Sequence, residues 1–285
     1  MRFLVLAEPD DVSAIKVCAE LQRRRSPASA LFLTSSALSE SEGFTHWLSD
    51  DRVDSRVRTR GSSEIRSDEL GVVLNRLCFV NLRRFCRSKP ADREYANMEM
   101  FALLLSWLAS LPCPVVNAAS PAGLSGASHR PFSIQRMAAE AGLPTLRFAS
   151  TTSTRRFPPP PNTRPLEPIL DPREEHWNGP GQVLNDVGMF AEHVGQNTSS
   201  VLVVGDRILG AEFLPELHSP CLQLMKITGL VIARIFFVES ADNDGSWKFA
   251  GLDPHPDLES QEARFAVVEL LESLSQTAQK GTPYT

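Results

Sequence analysis

Solid apolar runs alternate with stretches at helical spacing over the first ninety residues. Phe3-Leu4-Val5-Leu6-Ala7, Ala30-Leu31-Phe32-Leu33-Thr34 and Gly71-Val72-Val73-Leu74-Asn75 read as buried strands. Between the first two, Pro9-Asp10-Asp11 opens a helix, with acids where the helix dipole favours them. Val12, Ile15, Cys18 and Ala19 are expected on its core face. Residues 44–66 are too mixed to assign. Strands alternating with helices predict a parallel sheet. A helix over about 93–110 follows, with Met98, Phe101, Ala102, Leu105, Leu108 and Ala109 on one stripe and Pro112 as its stop. Pro114-Val115-Val116-Asn117 is a short strand and 118–130 a loop. Pro131 starts a helix that Gly142 caps.

The pattern then breaks. Eight prolines lie between residues 158 and 180. Proline has a fixed φ and no amide proton, so 150–182 is expected to be a linker or lid, not a helix or central strand. Beyond it, Val201–Val204 and Ile208–Ala211 flank Gly205-Asp206-Arg207, a hairpin turn. A helix at 216–228, strands at 230–238 and 247–252, and a last helix over about 259–275 complete the chain. That last helix carries Ala263, Val267, Leu270, Leu271 and Leu274 on one face. The predicted class is α/β plus α+β, in three parts: 1–149, the segment 150–182, and 183–285.

Composition narrows the chemistry by exclusion. A formal net charge of −5 argues against a dedicated nucleic-acid binder. No apolar stretch is long enough to span a membrane, and Glu8 interrupts the start where a secretory apolar core would continue, so a cytoplasmic location is expected. Five scattered cysteines lack the close pairing of disulfide frameworks and zinc ribbons. Phosphate loops of the GxxxxGK[ST] type, GxGxxG after the first strand, and GxSxG elbows are all absent from the sequence.

Taken in order, however, several short motifs resemble one family. These are Gly71–Leu77, the helix with Trp107, Pro114-Val115-Val116-Asn117 and Ala138-Ala139-Glu140-Ala141-Gly142-Leu143-Pro144, then Val201–Arg207 and Gly229–Ser240. The series resembles ATP-grasp ligases, above all the ribosomal-protein glutamate ligases and peptide-modifying ligases. The resemblance implies a pre-ATP-grasp-like parallel-sheet domain and a reduced ATP-grasp-like C-terminal lobe. It also implies ATP and Mg²⁺ as cofactors, and joining of a carboxylate to an amine or hydroxyl through an acyl phosphate. A peptide, a small carboxylate or a partner enzyme is the expected partner, with homo-oligomers left open.

By the same resemblance, Arg76 and Arg207 are candidate catalytic residues, and His129 and Arg130 candidate phosphate contacts before the Pro131 helix. Asp253 and Asp257 are candidate metal ligands. The departures are equally specific. Leu146 to Val201 contains no lysine and shows no β-rich segment. The first metal carboxylate falls near Phe236, and the family's Glu-x-Asn pair becomes Asp253 and His255. A hard cation prefers oxygen donors, so Asp253-Pro254-His255-Pro256 is either a weakened cation site or a rigid turn. Arg76 belongs to a basic cluster with Arg83, Arg84, Arg87 and Lys89, expected on a solvated loop. Trp107 and Trp247 are expected in the core, and Asn117 is expected to satisfy local backbone groups. A non-catalytic scaffold that binds a peptide or partner enzyme is the alternative function.

Overall fold

The computed structural model describes residues 1–50, 53–61, 64–80, 82, 85–126, 129, 131–151, 163–165, 188–192, 194–210, 215–240 and 245–279. In chain order its elements are β1 (Arg2–Ala7), α1 (Val12–Arg24), β2 (Ala30–Thr34), α2 (Ser35–Ser39), β3 (Gly43–Leu48), β4 (Val53–Arg58), β5 (Ile65–Arg66), β6 (Leu70–Asn75), α3 (Pro90–Ala109), β7 (Val115–Val116), α4 (Pro131–Glu140), β8 (Phe148–Thr151), β9 (Thr163–Pro165), β10 (Gly188–Glu192), β11 (Val194–Val204), β12 (Arg207–Leu209), α5 (His218–Thr228), β13 (Ile232–Ser240), β14 (Trp247–Asp253) and α6 (Gln261–Gln279). Two compact units result. The first combines Met1–Ser128, Thr228–Ile232 and Pro254–Thr285; the second combines His129–Ile227 and Ala233–Asp253.

The first unit is built on a parallel sheet of order β2-β1-β6-β7. Its strands are apolar on both faces, as a sheet covered on both sides requires. Leu4, Leu6 and Val73 share a core with Leu104, Trp107 and Leu108 of α3. α6 packs on β6 and on α1, with Ala263, Val267, Leu271 and Leu274 buried as its periodicity predicts. Two helix faces are rotated from expectation. In α1 the buried residues are Ala14, Val17, Cys18 and Leu21, while Val12 and Ile15 are exposed. The Asp11 carboxylate caps the helix at the Ala14 amide and fixes where its first turn begins. In α3 the buried set is Leu104, Trp107 and Leu108, and Met98 is exposed.

The unassigned 44–66 region is a second sheet, antiparallel, of order β3-β4-β5. Phe44 meets Trp107 edge-on, 5.3 Å between ring centres. His46 turns inward as well, between the Ser55 and Ser106 hydroxyls at 2.7 and 2.9 Å.

Among the described residues the second unit holds the sheets β8-β10-β9 and β12-β11-β13-β14, with antiparallel pairing of β10 to β8 and β9, of β11 to β12 and of β13 to β14. The first of these sheets corrects the expectation that no β-rich segment lies between Leu146 and Val201. Pro165 ends β9, an edge strand, where a residue without an amide proton is tolerated. Most of 150–182 lies outside the described residues. α4 packs on β14, and the buried Gln135 amide donates to the carbonyls of Phe249 (3.1 Å) and Ala250 (3.4 Å). Trp247 is half-buried, not a core residue as expected.

Candidate functional site

In an open parallel sheet, ligands sit at the carboxyl ends of the strands where successive connections part. Here that place is between β1 and β6, because β2 lies on the other side of β1. β1 runs into Glu8 and, beyond it, Asp11; β6 runs into Asn75 and Arg76. Glu8 is buried, and burial raises its carboxyl pKa. It accepts from the Ser35 hydroxyl at 2.5 Å and the Cys78 amide at 3.4 Å. Arg76 is no surface charge: it is 5% exposed and forks onto Asp11 at 2.7 and 3.3 Å. Its remaining donors reach the carbonyls of Pro256 (3.1 Å) and His255 (3.4 Å).

Two buried asparagines extend this edge. The Asn75 amide donates to the carbonyls of Asn117 (3.1 Å) and Leu124 (2.6 Å), shaping the loop after β7. Asn117 stands in the left-handed region, φ +55°, which asparagine tolerates better than most residues. Its partners are distant, not local as expected. Nδ2 donates to Ile232 O (2.8 Å) and Pro254 O (3.0 Å), and Oδ1 accepts from the amides of Val231 (2.9 Å) and Ile232 (3.0 Å). The side chain thereby ties together the backbone at Val231, Ile232 and Pro254, all within the first unit. Ser125 bonds both Leu77 O (2.8 Å) and the His255 ring. Periodicity gives no sign of these four residues, Asn75, Asn117, Ser125 and His255, as a group. The one visible signal is a polar residue at the end of each of two apolar strands.

The remaining candidates are dispersed. Asp257 is exposed at the start of the α6 approach, its Oδ1 accepting from the Glu259 amide (2.7 Å) and the Ser13 hydroxyl (3.3 Å). In the second unit, Asp253 ends β14 opposite Arg234, and Arg207 opens β12 on the exposed side of the Gly205 turn. His129 is half-buried; among the described residues its Nε2 has no hydrogen-bond partner, and desolvation lowers its pKa. Arg130 lies outside the described residues. Where the resemblance puts the first metal carboxylate, Phe236 is 37% exposed opposite Gly251.

Among the described residues no group of three or more His, Cys, Asp or Glu converges on a point that could hold a metal. The donors among the described residues therefore do not fit a protein-held Mg²⁺. A depression of about 440 Å³ lies on the outer face of β3 and β4, lined by Glu42, Trp47, Asp54, Arg56, Arg58 and Glu64. None of the candidate residues touches it. No helix among the described residues is long and apolar enough to cross a membrane.

No family profile and no curated protein matches the chain. Solved structures do. The macrocyclase MdnC from Microcystis aeruginosa, bound with precursor peptide MdnA, superposes with a TM-score of 0.70 at 15% identity, over 96% of this chain and 100% of that one. This chain has an ATP-grasp-like fold. The ATP-grasp ligase PsnB, in complex with precursor peptide PsnA2 and AMPPNP, matches at TM-score 0.65 and 18% identity, over 96% and 98% of the two chains. A RiPP-associated ATP-grasp ligase from Chryseobacterium gregarium, with ADP and a leader and core peptide, matches at 0.64 and 11%, over 99% and 98%. The ATP-grasp-like architecture accordingly accounts for nearly the whole length.

Proposed function

We propose that this ATP-grasp-like chain acts in peptide modification, taking a precursor peptide and joining one of its carboxylates to an amine or hydroxyl at the expense of ATP. Bound ATP would supply the activation by giving its γ-phosphoryl group to the carboxylate and leaving as ADP; the amine or hydroxyl would then attack the acyl carbon and expel phosphate. One observation supports this reading: the likeness to peptide-bound ligases runs over nearly the full length of both chains and is not confined to a short shared piece.

A second reading is favoured by a different observation. Arg76 and Asp257 spend their hydrogen bonds on the protein's own frame. Together with the missing lysines between Leu146 and Val201, this supports a non-catalytic scaffold that holds a peptide or partner enzyme. Thermal unfolding with and without ATP separates the two. A nucleotide at 100 times its dissociation constant stabilises by about 2.7 kcal/mol, or roughly 5–10 °C in a domain of this size. A rise of that order with millimolar ATP supports the ligase. No rise with ATP, but a rise with a precursor peptide, selects the scaffold. No response to either removes both readings.

A further inference from the structure

The segment that the family resemblance assigns to metal binding is fastened to the rest of the first unit at each residue from Pro254 to Glu259. Asn117 Nδ2 holds Pro254 O at 3.0 Å, and Ser125 Oγ holds the His255 ring. Arg76 holds the carbonyls of His255 and Pro256. Ser13 accepts from the Leu258 amide at 2.9 Å and donates to Asp257, whose carboxylate also receives the Glu259 amide. Lys16 closes the series on Glu259 at 2.9 Å. These partners come from α1, the end of β6 and the loop after β7, which are separate parts of the chain. Their common product is to lay down the irregular connection that delivers α6 to its seat on β6 and α1.

A cation site needs oxygen donors aimed at one empty point. Here the imidazole is spent on a serine, Asp257 Oδ1 on two nearby donors, the expected first carboxylate is the apolar Phe236, and among the described residues no group of three His, Cys, Asp or Glu that could hold a metal includes Asp253. We infer that Pro254–Glu259 is a structural latch for α6, and that Asp253 and Asp257 do not hold a divalent cation. The inference stands under either reading of function, since it concerns what this segment does and not whether nucleotide binds elsewhere.

The test has two arms on the full chain. In the first, Mn²⁺ is titrated alone and with AMPPNP, and free Mn²⁺ is followed by electron paramagnetic resonance, for the wild type, Asp253→Asn and Asp257→Asn. The expected result is the same isotherm for all three. A site weakened about tenfold or more by either substitution overturns the inference. In the second, Asp257→Ala and the milder Ser13→Ala are compared by hydrogen exchange in metal-free buffer. The amides of His255 and Asp257–Ser260 are expected to exchange about tenfold faster or more in both, with a melting point lower by at least about 2 °C. Unchanged exchange in both variants overturns the latch.

Discussion

Replacing Asn117 separates two effects that usually travel together: loss of a side chain's hydrogen bonds and loss of its tolerance for a left-handed backbone. Asn117→Gly removes the four hydrogen bonds to Val231, Ile232 and Pro254 but keeps φ +55° accessible. At about 0.5–1.5 kcal/mol net for each bond, the cost is about 2–6 kcal/mol. Asn117→Ala loses the same bonds and adds about 1–2 kcal/mol for holding a Cβ in the left-handed region. Against that, alanine's unfolded chain has less entropy to lose, worth about 0.5–1 kcal/mol in its favour. The difference leaves the glycine variant more stable by about 0.5–1 kcal/mol, the reverse of the order in an ordinary helix or strand. Urea unfolding followed by circular dichroism and tryptophan fluorescence measures both gaps, provided the slopes agree. An alanine variant as stable as the glycine variant, or either within 1 kcal/mol of wild type, refutes the reasoning.

Three further outcomes are expected. Arg76→Ala leaves the largely buried Asp11 carboxylate without its fork and should cost about 3–5 kcal/mol in urea unfolding, whereas Arg76→Met with Asp11→Asn should recover much of it; equal losses in the single and double variants would speak against a buried pair. The hydrogen bond from Arg23, with a second from Arg24, holds the Glu20 carboxyl down at about 2, so its stabilisation is present at neutral pH and lost as pH falls from the ordinary carboxylate range through that value. The melting-point gap between wild type and Glu20→Gln should accordingly close on acidification toward pH ~2, and a gap constant with pH would exclude this assignment. Burial pushes the Cys18 thiol up to about 11 and those of Cys113 and Cys221 to about 12, while Cys78 and Cys86 are exposed; an aromatic disulfide reagent at pH ~8 should titrate the two exposed thiols quickly and the other three only in denaturant.

Much of the frame is legible in the residues, and its failures have physical causes. The three parallel strands and α6 are read correctly because each carries one uninterrupted signal, a solid apolar run or a clean helical stripe. Nothing in that stripe says which sheet α6 covers, since a periodic face specifies burial but not its partner. The α1 face is misread because Val12 and Ile15 satisfy the spacing, while the Asp11 cap decides which way the first turn points. The β3/β4 hairpin is hidden because its alternation is inverted in two places. His46 points inward, where Ser55 and Ser106 satisfy its ring, and Trp47 points outward at 64% exposure. For the candidate site, residue types were visible but their partners were not. Arg76 and Asn117 each bond to backbone more than a hundred positions away, and a single sequence holds no trace of such pairs.

That α6 completes the first unit has a bearing on how the protein is made. A ribosome delivers β1, α1 and β6 long before it reaches Leu271, so the parallel sheet emerges with one apolar face covered only by α1 and must wait through most of translation for the rest of its lid. The waiting face is where a chaperone has its longest opportunity. A stop codon shortly before Gln261 would damage the beginning of the polypeptide as severely as its end.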